Sequence, residues 1–120
     1  MRSLTRGSLD EVRSWIKDAG LTSLTVNLGW QRKPGGDKAT EKFVSKAQGD
    51  RVRALRQDGI KIDAWAWVRP GAASELNEWI REARDLWGGL DAVCLNAEAP
   101  WYPSSNLVRA GFVQAAREYV

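Results

Sequence analysis

Three times in this chain a glycine closes a helical pattern and an apolar run begins at the next residue: Gly20-Leu21, Gly59-Ile60 and Gly89-Leu90. Glycine enters the left-handed conformation that ends a helix without steric cost. Each run that follows alternates apolar and polar residues with the period of a strand. Helices alternating with strands imply parallel strands, since each crossover helix returns the chain to the same end of the sheet. The expected class is α/β.

The patterns give the order α-β-α-β-α-β-α. Ser8-Leu9-Asp10-Glu11 matches a capping box, and Leu9, Val12, Ile16 and Ala19 repeat at helical spacing, predicting a helix over Leu9 to Ala19. A strand is expected over Leu21 to Gly29, with Leu24, Val26 and Leu28 on one face and Ser23, Thr25 and Asn27 on the other. Trp30 stands at its C-terminal end, and Gln31 to Lys38, with Pro34-Gly35-Gly36, reads as a loop. Ala39 to Asp58 reads as a helix weakened at Gly49-Asp50. Ile60 to Val68 is the next strand, with Lys61, Asp63, Trp65 and Trp67 on its polar face. Ala73 to Trp87 is a helix with a wide apolar stripe. The strand after Leu90 places Val93, Leu95 and Ala97 on one side and Cys94, Asn96 and Glu98 on the other. A last helix is expected after Pro103-Ser104-Ser105.

No domain boundary is visible, so residues 1–120 read as one domain. A complete (β/α)8 barrel takes roughly 250 residues. Two architectures fit what is present. One is a partial (β/α)8 TIM-barrel arc, completed by a second copy or a partner chain, or left as a shortened product. The other is a small open three-stranded α/β sandwich. Polar inner positions at Thr25, Asn27, Asp63 and Asn96 favour the arc, because a barrel lumen suits them better than an open core.

Composition narrows function by exclusion. With no histidine, His-based catalysis and His-ligated metals are ruled out, and no metal site is expected. No G-x-G-x-x-G or P-loop is present and Lys33-Pro34-Gly35-Gly36 is not one, so no cofactor is expected. Cys94 is the one cysteine, which excludes an intramolecular disulfide. No run is long and apolar enough for a membrane span, and Met1 to Ser8 lacks a signal-peptide core. The expected location is the cytoplasm, or the virion or cell exterior for a phage-borne chain. A net charge of +3 is mild, and a helical row Lys38, Lys42, Lys46 reads as a solvated face, so nucleic acid is not the expected partner.

Seven tryptophans are the compositional outlier. Trp30, Trp67, Trp101 and Tyr102 fall at or just past strand C-termini, and Trp65 lies one step deeper on the inward face. Flat rings with a polar edge suit stacking on sugars or bases. Trp15, Trp79 and Trp87 lie on helices and read as packing residues. Glu98 is the candidate catalytic carboxylate, at the strand end where α/β sites are built, with Asn96 two residues earlier to orient it or to bind a substrate hydroxyl. Asp63 sits deeper, and pairing with Lys61 or a neighbouring strand's polar group is its expected role.

At Leu95-Asn96-Ala97-Glu98 and Ala99-Pro100-Trp101-Tyr102 the chain resembles the glycosidase TIM barrels, most closely the family 25 lysozyme-like (muramidase) group and related phage-encoded glycosidase-like barrels. The stretch Ile60 to Val68 is similar to that group's aromatic third strand. The resemblance implies a glycoside hydrolase-like domain directed at cell-wall polysaccharide. It implies Glu98 as proton donor, with Trp65, Trp67 and Trp101 lining a saccharide groove. The group has Asp where this chain has Asn96, and its acids from the first and sixth strands have no counterpart here. Hydrolysis needs two carboxylates about the scissile bond, so the chain alone is expected to be incomplete or inactive. A non-catalytic carbohydrate-binding or virion structural module is the alternative.

Overall fold

A computed structural model of the chain describes residues 4–32, 35–69 and 71–96. In chain order the elements are helix α1 (Leu9–Asp18), strand β1 (Ser23–Trp30), strand β2 (Glu41–Lys42), helix α2 (Lys46–Gln57), strand β3 (Lys61–Trp67), helix α3 (Ala73–Trp87) and strand β4 (Val93–Asn96). The sheet order is β2-β1-β3-β4. β1, β3 and β4 run parallel, and β2 pairs antiparallel with β1. The fold is α/β, and the sheet of the described residues is open, as in the second of the two architectures the sequence allows.

Local chemistry explains most boundaries. Ser8 caps α1 by accepting from the Glu11 N–H at 3.1 Å, as the capping box requires. Gly20, at φ +65, receives the chain after α1, and Gly88, at φ +77, is the left-handed cap of α3. Arg13 makes a two-pronged pair with Asp58 just after α2, at 2.7 and 3.1 Å. The hydrogen bond with Asp58 raises the Arg13 pKa above its ordinary value.

The segment before α2 departs from the helical reading of Ala39 to Asp58. Glu41 and Lys42 form β2, and the helix begins only at Lys46, where Ser45 is extended and caps it by accepting from the Gln48 N–H at 3.1 Å. The free edge of β1 decides this: Trp30 faces Glu41, Gly29 faces Lys42, and the Phe43 N–H donates to the Leu28 carbonyl at 2.9 Å. The lysine row dissolves with the helix. Lys38 lies in the loop, Lys42 pairs with Glu82 at 2.9 Å, and Lys46 pairs with Asp50 at 3.5 Å. Charged residues on so short an edge strand also blunt it against further pairing.

Helix α2 does not break at Gly49. That residue is buried at the crossing with α3, where a Cβ would lie 2.8 Å from the Leu86 Cβ. Three arginines on α2 donate to backbone carbonyls. Arg51 donates to the carbonyls of Leu4 and Gly7, Arg53 to those of Leu86 and Asp85, and Arg56 to that of Gly89. Two of them thereby satisfy carbonyls left over at and beyond the end of α3.

One hydrophobic cluster holds the elements together. It joins Val12 and Ile16 of α1, Val52 and Leu55 of α2, and Leu76, Trp79, Ile80, Ala83 and Trp87 of α3 to Val26, Leu28, Ile62, Ala64 and Ala66 of the sheet, with Val68 just beyond β3. Trp79 and Trp87 are thus packing residues, as their helical positions imply. All these strand residues share one face by alternation, and full burial of each Val, Leu or Ile side chain contributes about 1.5–3 kcal/mol. The other face of the sheet carries the polar and aromatic positions. Among the described residues, no helix is long and apolar enough to cross a membrane.

Candidate functional site

The parallel register sets this second face out in rows. Thr25 lies beside Asp63, Trp65 lies between Asn27 and Cys94, and Trp67 lies between Trp30 and Asn96. Strict alternation from Val26 and Leu28 would send Trp30 into the helix-packed face. It goes the other way because the β1–β3 register shifts between Asn27 and Gly29. This β-bulge leaves Leu28 as the extra residue and turns Trp30 toward Trp67.

Four features hold the bulge. The Asn27 Oδ1 accepts from the Gly29 N–H at 2.9 Å, closing a local turn. Gln48, buried on α2, donates through Nε2 to the Asn27 carbonyl at 3.1 Å. β2 supplies the Phe43 N–H to Leu28. Gly29 gives space: a Cβ there would overlap the Glu41 carbonyl oxygen and come within 2.7 and 2.9 Å of the Trp79 ring.

The result is an aromatic cluster at the C-terminal end of the parallel strands. Trp30 packs edge-on against Trp65, with centroids 5.6 Å apart at 77°, and against Trp67, at 5.1 Å and 86°. Each such pair is worth about 0.5–1.5 kcal/mol beyond its buried area. All three rings are half-buried and stand outside the hydrophobic cluster. Arg32 lies over two of them, its Cζ 4.3 Å from the Trp67 centroid and 4.9 Å from that of Trp30.

Gln31 locks the base of this arrangement and is itself buried. Its N–H donates to the Trp67 carbonyl at 2.7 Å, and its Oε1 accepts from the Arg69 N–H at 3.1 Å. Its Nε2 donates to the Ala72 carbonyl at 2.9 Å and to Glu75 Oε1 at 3.1 Å. One amide therefore joins the ends of β1 and β3 to the start of α3, a helix without a side-chain cap at Ala72.

Of the residues singled out in the sequence, Trp30, Trp65, Trp67 and Asn96 come together on this face. Glu98, Trp101 and Tyr102 lie outside the described residues. Asp63 makes neither of the pairings expected for it among the described residues. Its Oδ1 is buried without a hydrogen-bond partner, and neither Lys61 nor Thr25, its neighbour on β1, bonds to it. Arg32 and Gln31 are missed by sequence reading, since a loop position gives no periodicity; their one signal is adjacency to an aromatic strand end. Among the described residues no cluster of acidic, histidine or cysteine side chains could hold a metal ion. Comparison with family models, curated proteins and solved structures finds no match to this chain.

Proposed function

We propose that this aromatic face binds a polysaccharide of the cell-wall type, in a glycoside hydrolase-like domain. The observation that supports this reading is the set of three indoles gathered outside the core by strand register and a bulge held in place from three sides. Indole rings offer sugars an apolar face and an N–H edge. Asn96, in register with Trp67, adds an amide that both donates and accepts, as a hydroxyl-rich ligand requires. The site lies at the C-terminal strand ends, the usual location in parallel α/β folds.

In the hydrolytic form of this reading Glu98 is the proton donor, and a second carboxylate comes from a second copy or a partner chain that completes a barrel. In the non-catalytic form, as a binding or virion structural module, the aromatic face acts alone. Asn96, standing where the resembled group has Asp, favours the binding form.

Co-sedimentation of the purified chain with insoluble chitin and with peptidoglycan tests binding. Depletion from the supernatant is expected, weakened at least tenfold by Trp67→Ala; no depletion on either polymer refutes the proposal. Release of reducing ends that is lost in Glu98→Gln identifies the hydrolytic form. Release that survives Glu98→Gln removes Glu98 from its role.

A further inference from the structure

The upper end of the aromatic face is unbalanced in its hydrogen-bonding groups. Arg32 Nε and Trp67 Nε1 are both buried, and neither has a hydrogen-bond partner among the described residues. Guanidinium and indole N–H groups donate only. Among the described residues no carboxylate lies within ion-pair distance of Arg32, although other arginines in the chain find carbonyls or acids. An unpaired buried donor costs about 1–3 kcal/mol, and more when it is charged. The cation is nonetheless held against two rings, 4.3 and 4.9 Å from their centroids. Its main chain is tied down as well, the Arg32 N–H donating to Thr40 Oγ1 at 3.0 Å.

A cation positioned on the ring that carries a second donor, with no acceptor on either nitrogen among the described residues, complements an anion. We propose that Arg32 and the Trp67 N–H form a carboxylate-recognising subsite, and that the saccharide taken by this face is an acidic one. This rests on the saccharide reading above and names the ligand's charge. A guanidinium packed on an aromatic ring keeps its N–H fork, which matches the two oxygens of a carboxylate. Asp63 also faces this side, but it lies four residues below Trp67 on β3, about 13 Å at the rise of a parallel strand. That exceeds the screening length of about 8 Å at physiological salt, so its charge does not cancel the subsite.

The test is calorimetric titration of the full chain with chitotetraose and with carboxymethylated chitotetraose, which share a backbone and differ in charge. The acidic form is expected to bind about tenfold more tightly at physiological salt, with the ratio shrinking as further sodium chloride is added. In Arg32→Gln the ratio should fall to about one, and in Arg32→Lys, which keeps the charge without the fork, to an intermediate value. Equal binding of both sugars by the wild-type chain overturns the acidic-ligand inference and leaves the saccharide reading standing. Binding of neither overturns both. A preference that persists in Arg32→Gln removes Arg32 as its source. Should Arg32→Gln not fold by circular dichroism, the wild-type ratio and its salt dependence decide.

Discussion

Gly29→Ala tests whether the bulge builds the aromatic face. The methyl would overlap the Glu41 carbonyl oxygen and stand 2.7 and 2.9 Å from two Trp79 ring carbons. Neither obstacle yields easily: the carbonyl belongs to the strand paired with β1, and Trp79 is 4% exposed within the core. Overpacking of this kind costs about 1–3 kcal/mol. Gly29 also has φ +155, at the margin of what a side chain accepts, which adds about 1 kcal/mol. The expected loss is about 3 kcal/mol, a large share of a typical 5–15 kcal/mol total. With a urea slope near 2 kcal/mol/M this lowers the midpoint by about 1.5 M. Gly20→Ala is the control, since Gly20 has φ +65 but nothing within 4 Å of its Cβ position; it should cost about 1–2 kcal/mol from backbone strain alone. Urea titration followed by tryptophan fluorescence measures both variants. Near-ultraviolet circular dichroism should also weaken in Gly29→Ala as Trp30 leaves its partners. If Gly29→Ala unfolds at the same urea concentration as Gly20→Ala and keeps the wild-type near-ultraviolet spectrum, the bulge does not depend on the missing side chain and the reasoning fails.

Gly49→Ala gains about 1 kcal/mol of helix propensity but drives a methyl to 2.8 Å from the Leu86 Cβ. We expect a net loss of about 1 kcal/mol by thermal melting, and a gain would show that α2 and α3 separate freely. Gln31→Leu removes the hydrogen bonds to Ala72, Glu75 and Arg69. It should cost about 2–3 kcal/mol and speed amide exchange in the first turn of α3, and unchanged exchange there would deny Gln31 its joining role. Gln48→Met leaves the Asn27 carbonyl without its side-chain donor. A loss of about 1–2 kcal/mol is expected, with the near-ultraviolet signal reduced as in Gly29→Ala; an unaltered spectrum would show that the bulge does not need Gln48. Light scattering over a range of concentrations tests barrel completion by a second copy: a dimer is its expected signature, and a monomer at all concentrations would remove self-pairing.

Much of the fold is legible because its determinants are local. The stripe from Leu76 to Trp87 sets α3 at Ala73–Trp87, where the structure has it. The two-residue period of β3 separates Ile62, Ala64 and Ala66 from Asp63, Trp65 and Trp67, and the burial pattern follows that separation. The helical stretch before α2 misleads because Phe43 and Val44 imitate a helix stripe. Val44 is instead buried from an extended segment, and Phe43 is exposed.

By itself the sequence determined the alternation of helix and strand, the glycine stops and the side of β3 and β4 on which each side chain lies, since these follow from periods of 3.6 and 2 and from the conformational freedom of glycine. Only the tertiary structure decided where Trp30 points. Its direction depends on an edge strand 11 residues further along the chain and on a glutamine 18 residues further along, at Glu41 and Gln48. The tertiary structure likewise turned Gly49 from a weak point in a helix into a helix crossing and placed Arg32 over two rings from different strands. Each of these rests on a hydrogen bond, a ring contact or a steric gap between separate segments, and none leaves a periodic trace in the order of residues.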